Sequence, residues 1–244
     1  MNHVGSPEPG NYYAIPELAA AYDADAEGRR DLDFYRGLAA DLRASRIADI
    51  GAGTGLLGSL LAGAGHDVIG VEPERTMLSI AARQEHADNV SWLHGTADQL
   101  PAKWADLALM TGHVAQYFLD DSAWAAAVAQ ARRALRPGGR LAFEVRNPAA
   151  EAWRQWQTAG SANTSGGTVR TDVRRNGDLV THTDHWTRGA SSWTTTETLR
   201  FPSWQDVVKG LESAGMRVDR TWGNWDRCPV TADCPEWIIL TAPV

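Results

Sequence analysis

The sequence predicts an α/β fold: a doubly wound, mostly parallel sheet with helices on both faces. Three observations carry this. Short apolar strands alternate with helical stretches between residues 46 and 146. The first strand, Ile47–Ile50, runs into the glycine hinge Gly51-Ala52-Gly53-Thr54-Gly55. A second strand then ends on a carboxylate, Glu72, twenty-one positions after the first of these glycines.

The elements follow in order. Residues 1–15 carry Gly5, Pro7, Pro9 and Gly10 and read as a loose arm, to be ordered when something binds. Two helical stretches follow, Pro16–Tyr22 and Arg29–Ala44; in the second, Leu32, Tyr35, Leu38 and Leu42 recur at helical spacing. The alternating core continues with helix Leu56–Ala64, strand Val68–Val71, helix Thr76–Gln84 and strand Val90–Leu93. Strand Leu107–Met110, helix Ser122–Leu135 and strand Arg140–Val145 complete it. With strands and helices interleaved, the crossovers should be right-handed.

The pattern changes after Pro148. Trp153 and Trp156 sit on a short amphipathic segment, and 160–167 is a Ser/Gly/Asn-rich loop. Strands Thr168–Arg175 and Asp178–Thr187 should form a hairpin about Asn176-Gly177, with Trp193–Phe201 completing a meander. Ser203 should cap a helix that ends at Gly215, before strands Arg217–Trp222 and Trp237–Ala242. One domain results: N-terminal arm and helical cap (1–45), cofactor core (46–146), β insertion on the substrate side (147–202), last helix and terminal hairpin (203–244). Asn147-Pro148 follows strand five and reads as the turn that ends it.

At 244 residues and 43% apolar content the chain can bury a full core as one domain. A formal charge of −7 repels phosphate backbones, and ten Lys/Arg against eleven Asp/Glu after residue 150 leave no basic lobe, so nucleic acid is not expected as a partner. No apolar run reaches a membrane span and no leader pattern opens the chain, so a cytoplasmic protein without a membrane partner is expected. Cys228 and Cys234 read as free thiols, and no metal site is expected.

A strand-to-helix reversal of this kind brings a nucleoside cofactor almost against the backbone, which glycine permits. Glu72 is placed to accept hydrogen bonds from two ribose hydroxyls. Gly53-Thr54-Gly55-Leu56-Leu57-Gly58 also satisfies a dinucleotide pattern, so a nicotinamide-dependent oxidoreductase is an alternative. Asp49 discriminates between the two. Two residues before the first glycine, its charge would repel a pyrophosphate and attract a cofactor with an ammonium and a sulfonium, on the order of 4 kcal/mol around four ångström at intermediate dielectric. S-adenosylmethionine is therefore favoured.

The Asp49-x-Gly51-x-Gly53-x-Gly55 motif resembles the first motif of the class I S-adenosylmethionine-dependent methyltransferases. Glu72-Pro73 and Met77-Leu78 look like that family's second-strand acid and the apolar residue near the adenine. Gly95-Thr96-Ala97-Asp98-Gln99-Leu100-Pro101 is similar to the segment whose Asp pairs with the adenine amino group, and Leu135-Arg136-Pro137-Gly138-Gly139 to the turn before strand five. The motifs lie in family order from about residue 20 to 146. Ala52, where many members carry Cys, is a departure at a position that uses mainly its backbone. The resemblance implies a seven-stranded sheet of order 3-2-1-4-5-7-6 with an antiparallel final hairpin. It also implies Tyr22, Asp49, Gly51, Ala52, Gly53, Glu72, Pro73, Met77, Asp98, Gln99 and Thr111 as cofactor-binding residues. In related small-molecule enzymes a Tyr-Asp pair like Tyr22-Asp23 lets the tyrosine close over the cofactor.

The expected activity is methyl transfer to an O, N or C atom of a small-molecule acceptor, a specialised metabolite, by a monomer or homodimer. A catalytically silent cofactor-binding protein is a further alternative. Thr111-Gly112-His113-Val114-Ala115-Gln116-Tyr117 leaves strand four at the topological switch point, so His113 is the first candidate for a general base or an acceptor-positioning residue and Tyr117 a second catalytic candidate. His182, Asp184 and Trp186 alternate on one strand face and are candidates to meet the acceptor. Eight of the eleven Trp lie after residue 150; Trp186 and Trp193 are the ones expected to wall a pocket.

Overall fold

The computed structural model describes residues 10–24, 29–157 and 161–244. After a short helix α1 (Pro16–Ala19) and α2 (Arg30–Asp41), the core alternates β1 (Arg46–Ile50), α3 (Leu56–Gly63), β2 (Asp67–Glu72), α4 (Arg75–Ala81), β3 (Val90–His94), β4 (Ala105–Met110), α5 (Asp121–Ala134) and β5 (Leu135–Arg146). Then come β6 (Ala162–Thr164), β7 (Gly167–Asn176), β8 (Leu179–Arg188), β9 (Ser191–Arg200), α6 (Trp204–Ser213), β10 (Met216–Trp222) and β11 (Glu236–Pro243).

The main sheet has the order β3-β2-β1-β4-β5-β11-β10, which is the expected seven-stranded topology. The first five strands are parallel, and β11 pairs antiparallel with both β5 and β10. Strand periodicity sorts the core onto two faces. Ile47, Leu107 and Leu109 meet Phe34, Leu38, Leu57 and Leu61 of α2 and α3 on one side. Ala48, Ile50 and Met110 meet Val128 of α5 and Leu211 of α6 on the other. Burial on both faces explains why β4 is apolar almost throughout.

Helix ends follow their local chemistry. Asp120 caps α5 by accepting from the Ala123 N–H at 2.8 Å, with Arg132 and Arg133 in the last turn. Ser203 and Asp206 form a reciprocal capping box on α6. At the hinge, Gly55 has φ +74°, and a Cβ there would stand 2.6 Å from the Ala81 Cβ and 3.0 Å from its Cα. Only glycine lets α3 start this close to α4.

Three expectations change. Residues 10–15 of the predicted arm are held in place: Gly10 pairs with β9, donating to Thr194 O at 2.8 Å and accepting from Thr196 N at 3.1 Å. Residues 1–9 lie outside the described residues. Part of the predicted loop at 160–167 is strand β6, paired with β7 in a four-stranded antiparallel sheet of order β6-β7-β8-β9. The hairpin reverses one residue later than expected, since Asn176 still pairs with Leu179. Neither Cys228 nor Cys234 is in a disulfide. No helix among the described residues is long and apolar enough to cross a membrane.

Candidate active site

Two adjoining cavities open at the carboxyl ends of the parallel strands. The larger, about 650 Å³, is lined by Gly51, Gly53, Glu72, Pro73, Met77 and Thr111, with Gly95, Thr96 and Ala97 among its other residues. Its size suits a nucleoside cofactor. Glu72 terminates β2, where its Oε2 accepts from Gly53 N at 2.9 Å and its Oε1 from Glu74 N at 2.8 Å. Burial raises the Glu72 pKa, against the lowering effect of those two amides. The carboxylate is thus fixed in orientation and retains lone pairs for a ligand. The N-terminal segment covers this cavity: Asn11 donates to Glu74 at 2.7 Å. Asp23 accepts from Thr54 Oγ1 at 2.8 Å and from Gln84 Nε2 at 3.0 Å, tying Tyr22 beside the glycine hinge.

The smaller cavity, about 290 Å³, is lined by Arg29, Asp31, His113, Glu144, Arg146, Trp225 and Glu236, together with residues it shares with the first. Glu144 interrupts the apolar run of β5 and is 1% exposed. It accepts from the Tyr35 hydroxyl and, at 2.7 Å, from the His113 N–H. Burial raises its pKa. His113 sits at φ +64°, and its Nε2 lies 3.1–3.2 Å from both oxygens of Glu236. A carboxylate there favours the tautomer with the proton on Nε2, which leaves Nδ1 to accept. Arg29 is engaged by Asp31, while Arg146 donates to Gln116 at 3.0 Å and stacks over Trp156 at 5.1 Å.

Tyr13, Tyr22, Gly112, Tyr117 and Glu197 line both cavities and form the wall between them. The Tyr13 and Tyr117 hydroxyls are 2.6 Å apart, and Tyr117 donates to Glu197. Burial pushes all three tyrosine pKa values up, so these hydroxyls keep their protons. Burial also works to raise Glu197, but hydrogen bonds from His182 and Tyr117 outweigh it and leave the group lowered.

The structure brings Tyr22, Gly51, Gly53, Glu72, Pro73, Met77 and Thr111 to the larger cavity, His113 to the smaller and Tyr117 to both. Other expected positions fall elsewhere. Asp49 is 1% exposed and lines neither cavity; it shares the β1 face of Ile47 and lies behind the hinge, where a Cβ on Gly58 would be 3.4 Å from its Oδ2. Among the described residues neither of its oxygens has a hydrogen-bond partner, and burial, then the Glu72 charge, raises its pKa to about 7. Asp49 thus sits beneath the loop rather than on the wall of either cavity. Ala52 turns toward β2, donating its N–H to Val71 O at 3.1 Å. Asp98 and Gln99 stand just past the rim, where Asp98 accepts from Thr96 and Gln99 at 2.6 and 2.9 Å.

His182, Asp184 and Trp186 do share a face, but none lines either of these two cavities. Trp186 is 8% exposed, packs with Leu18 and Val169, and donates to Thr195 Oγ1 at 3.0 Å. Trp193 is packed against that same cluster. His182 and Asp184 bond to each other behind Glu197. Sequence reasoning missed Tyr13, Glu144, Glu197 and Glu236. Glu144 carried a signal, an acid inside an otherwise apolar strand, whereas Glu197 and Glu236 needed strand register to be found.

Comparison with known proteins gives this architecture a context. Residues 47–139 match the family model described as "Methyltransferase domain". A relative, the biotin biosynthesis bifunctional protein BioHC of Cellvibrio japonicus, is 33% identical over 152 residues, covering 58% of this chain and 28% of that protein. The chain spans less than half the length of the curated relatives it matches. Among solved structures, the CcbJ methyltransferase of Streptomyces caelestis superposes with a TM-score of 0.79 at 19% identity, covering 96% of this chain and 98% of that one. CalS10 of Micromonospora echinaspora, an amino pentose methyltransferase involved in calicheamicin biosynthesis and solved with S-adenosylmethionine bound, has a TM-score of 0.61 at 17% identity, with 91% and 96% covered.

Proposed function

With a methyltransferase domain at residues 47–139 and the fold of the class I S-adenosylmethionine-dependent methyltransferases around it, we propose that this protein methylates an amine nitrogen of a small-molecule acceptor, a specialised metabolite. The carrying observation is the pair of cavities with a shared wall: one holds the nucleoside-binding motifs, the other is acid-rich. Asp31, Glu144, Glu197 and Glu236 face Arg29, Arg146 and His113 there, a balance that favours a cationic guest over an anionic one. The amino pentose named for CalS10 is an acceptor of that chemistry.

The residues present fit the cofactor. Glu72 offers a fixed carboxylate to the ribose hydroxyls, Met77 an apolar flank, and Gly51 and Gly53 an approach to the backbone. Asp49 is a buried acid under the hinge with no hydrogen-bond partner among the described residues, and a cationic amino-acid tail above it would favour its ionised form. S-adenosylmethionine supplies an activated methyl group on a sulfonium. The protein's task is alignment and water exclusion, which contributes several kcal/mol and up to about 7–11 in ideal cases. Tyr13, Tyr22 and Tyr117 line both cavities at the junction where the methyl group and the acceptor nitrogen would meet. An amine arrives protonated and must be neutral to attack, so the His113 Nδ1, with Glu236 behind Nε2, receives that proton.

Titration with S-adenosylhomocysteine and with NAD, followed by a screen of amines with labelled methyl donor, tests the proposal. S-adenosylhomocysteine should bind, NAD should not, and label should reach amines but not their acetamides. Binding of NAD in place of S-adenosylhomocysteine would establish the oxidoreductase reading instead.

A further inference from the structure

A line of hydrogen bonds runs from the outer sheet to the wall between the cavities. Thr171 Oγ1 donates to Asp184 Oδ1 at 2.6 Å, and Asp184 Oδ2 lies 3.1 Å from His182 Nδ1. His182 Nε2 is 2.8 Å from Glu197 Oε2, whose other oxygen accepts from Tyr117, itself 2.6 Å from the Tyr13 hydroxyl. Both imidazole nitrogens face carboxylates, so both carry protons and the ring is a cation between two anions. We infer that Glu197 is the subsite for the acceptor's N–H and that His182 is the positioning residue that holds this carboxylate ionised at the junction of the two cavities. The inference rests on the amine-acceptor reading above.

The sheet itself does not require these groups. His182 and Glu197 are a directly opposed pair of β8 and β9, and the flanking pairs are threonines, Thr181–Thr198 at 2.8 Å and Thr183–Thr196 at 3.1 Å. Ionisable groups placed in a partly buried pair must recover their desolvation through one another, so such a cluster is weak evidence for stability alone. Glu197 is also the one of the three that reaches the cavities, lining both. The groups around the ring are complete in kind. Asp184 comes from β8, Glu197 from β9, Tyr117 from the turn after β4 and Tyr13 from the N-terminal turn. The Trp156 ring meets the imidazole edge-on at 5.5 Å, with Arg146 on that tryptophan. Burial works to lower the His182 pKa, but the two carboxylates lift it to about 9.

The test uses the full chain loaded with S-adenosylhomocysteine and labelled with ¹⁵N-histidine. Glucosamine, 2-aminoethanol and benzylamine are the probes, with N-acetylglucosamine as the neutral control. In the parent, one histidine should stay doubly protonated to about pH 8 and lose that signature in Glu197→Gln. At least one amine should shift its ring signals while N-acetylglucosamine does not. His182→Gln, which keeps a donor but no charge, should weaken that amine about tenfold, the scale of one charge-assisted hydrogen bond, with S-adenosylhomocysteine affinity held within about twofold. Retained S-adenosylhomocysteine affinity also shows that the variant folds. An unshifted histidine with all three amines, or full amine affinity in His182→Gln, overturns the inference. Failure of the parent to bind S-adenosylhomocysteine overturns instead the reading on which it rests.

Discussion

The two cavities are adjacent but are held by different kinds of contact. On the cofactor side, Glu72 is fixed by amides 19 and 2 positions away in the chain. On the acceptor side, Tyr13–Tyr117, Tyr117–Glu197, Tyr35–Glu144 and His113–Glu236 span 104, 80, 109 and 123 positions. The first wall is made by local backbone geometry and a short motif. The second exists only when six separate segments have docked. The same sheet thus provides a cofactor site whose Glu72 is held by nearby backbone amides and an acceptor site that any shift of the β insertion would reshape.

The largest expected effect tests the local side. Gly55→Ala adds a Cβ at φ +74° that would stand 2.6 Å from the Ala81 side chain, and should destabilise the protein by about 2–6 kcal/mol in chemical denaturation. A change below about 1 kcal/mol would mean the hinge is not under close-packing constraint.

Next comes pH. Asp49 has its folded pKa raised above the unfolded value, so the folded state binds more protons between the two and its stability falls as pH rises from about 4 to about 7, by at most about 4 kcal/mol. His182 is also raised, so its contribution is fully present below its unfolded pKa and is lost as pH climbs through about 9. Asp49→Asn should reduce the slope in the lower window, where Glu72 and Glu144 also contribute, and leave the upper one. If Asp49→Asn leaves the lower slope intact, Asp49 is not the group titrating there.

Smaller effects separate the two cavities. Glu72→Ala should weaken S-adenosylhomocysteine by about 1.5–3 kcal/mol, because a charged acceptor is lost and the Gly53 and Glu74 amides lose their partner. His113→Ala should cut turnover at least about tenfold while cofactor affinity stays close to the parent's. A reversed pattern, with His113 governing cofactor affinity, would erase the distinction between the two walls.

Legibility divides along the same line. The order of motifs from Asp49 to Gly139 fixed the strands and the place of Glu72, Met77 and Thr111, since each depends on residues close in the chain. Asp49 was located but its surroundings were not: strand alternation points it away from the cavity, a consequence of which face the helices cover. His182, Asp184 and Trp186 share a face as their alternation implies, and what that face touches is Glu197 and the cluster around Leu18. That face meets Glu197 and the N-terminal turn, and no pattern within β8 reveals what packs on it.

The sequence by itself determined the alternation of strands and helices, the glycine hinge and the acid at the tip of β2, because backbone angles and hydrophobic periodicity are properties of short stretches, whereas the sheet order followed only from the resemblance of the ordered motifs to a known family. Only the tertiary structure decided that Tyr13, Tyr117, Glu197, Glu144 and Glu236 share one space. Their meeting depends on how β9, β11 and the N-terminal segment pack against the sheet, and the free energy of that packing comes from apolar contacts with no record in the site residues themselves.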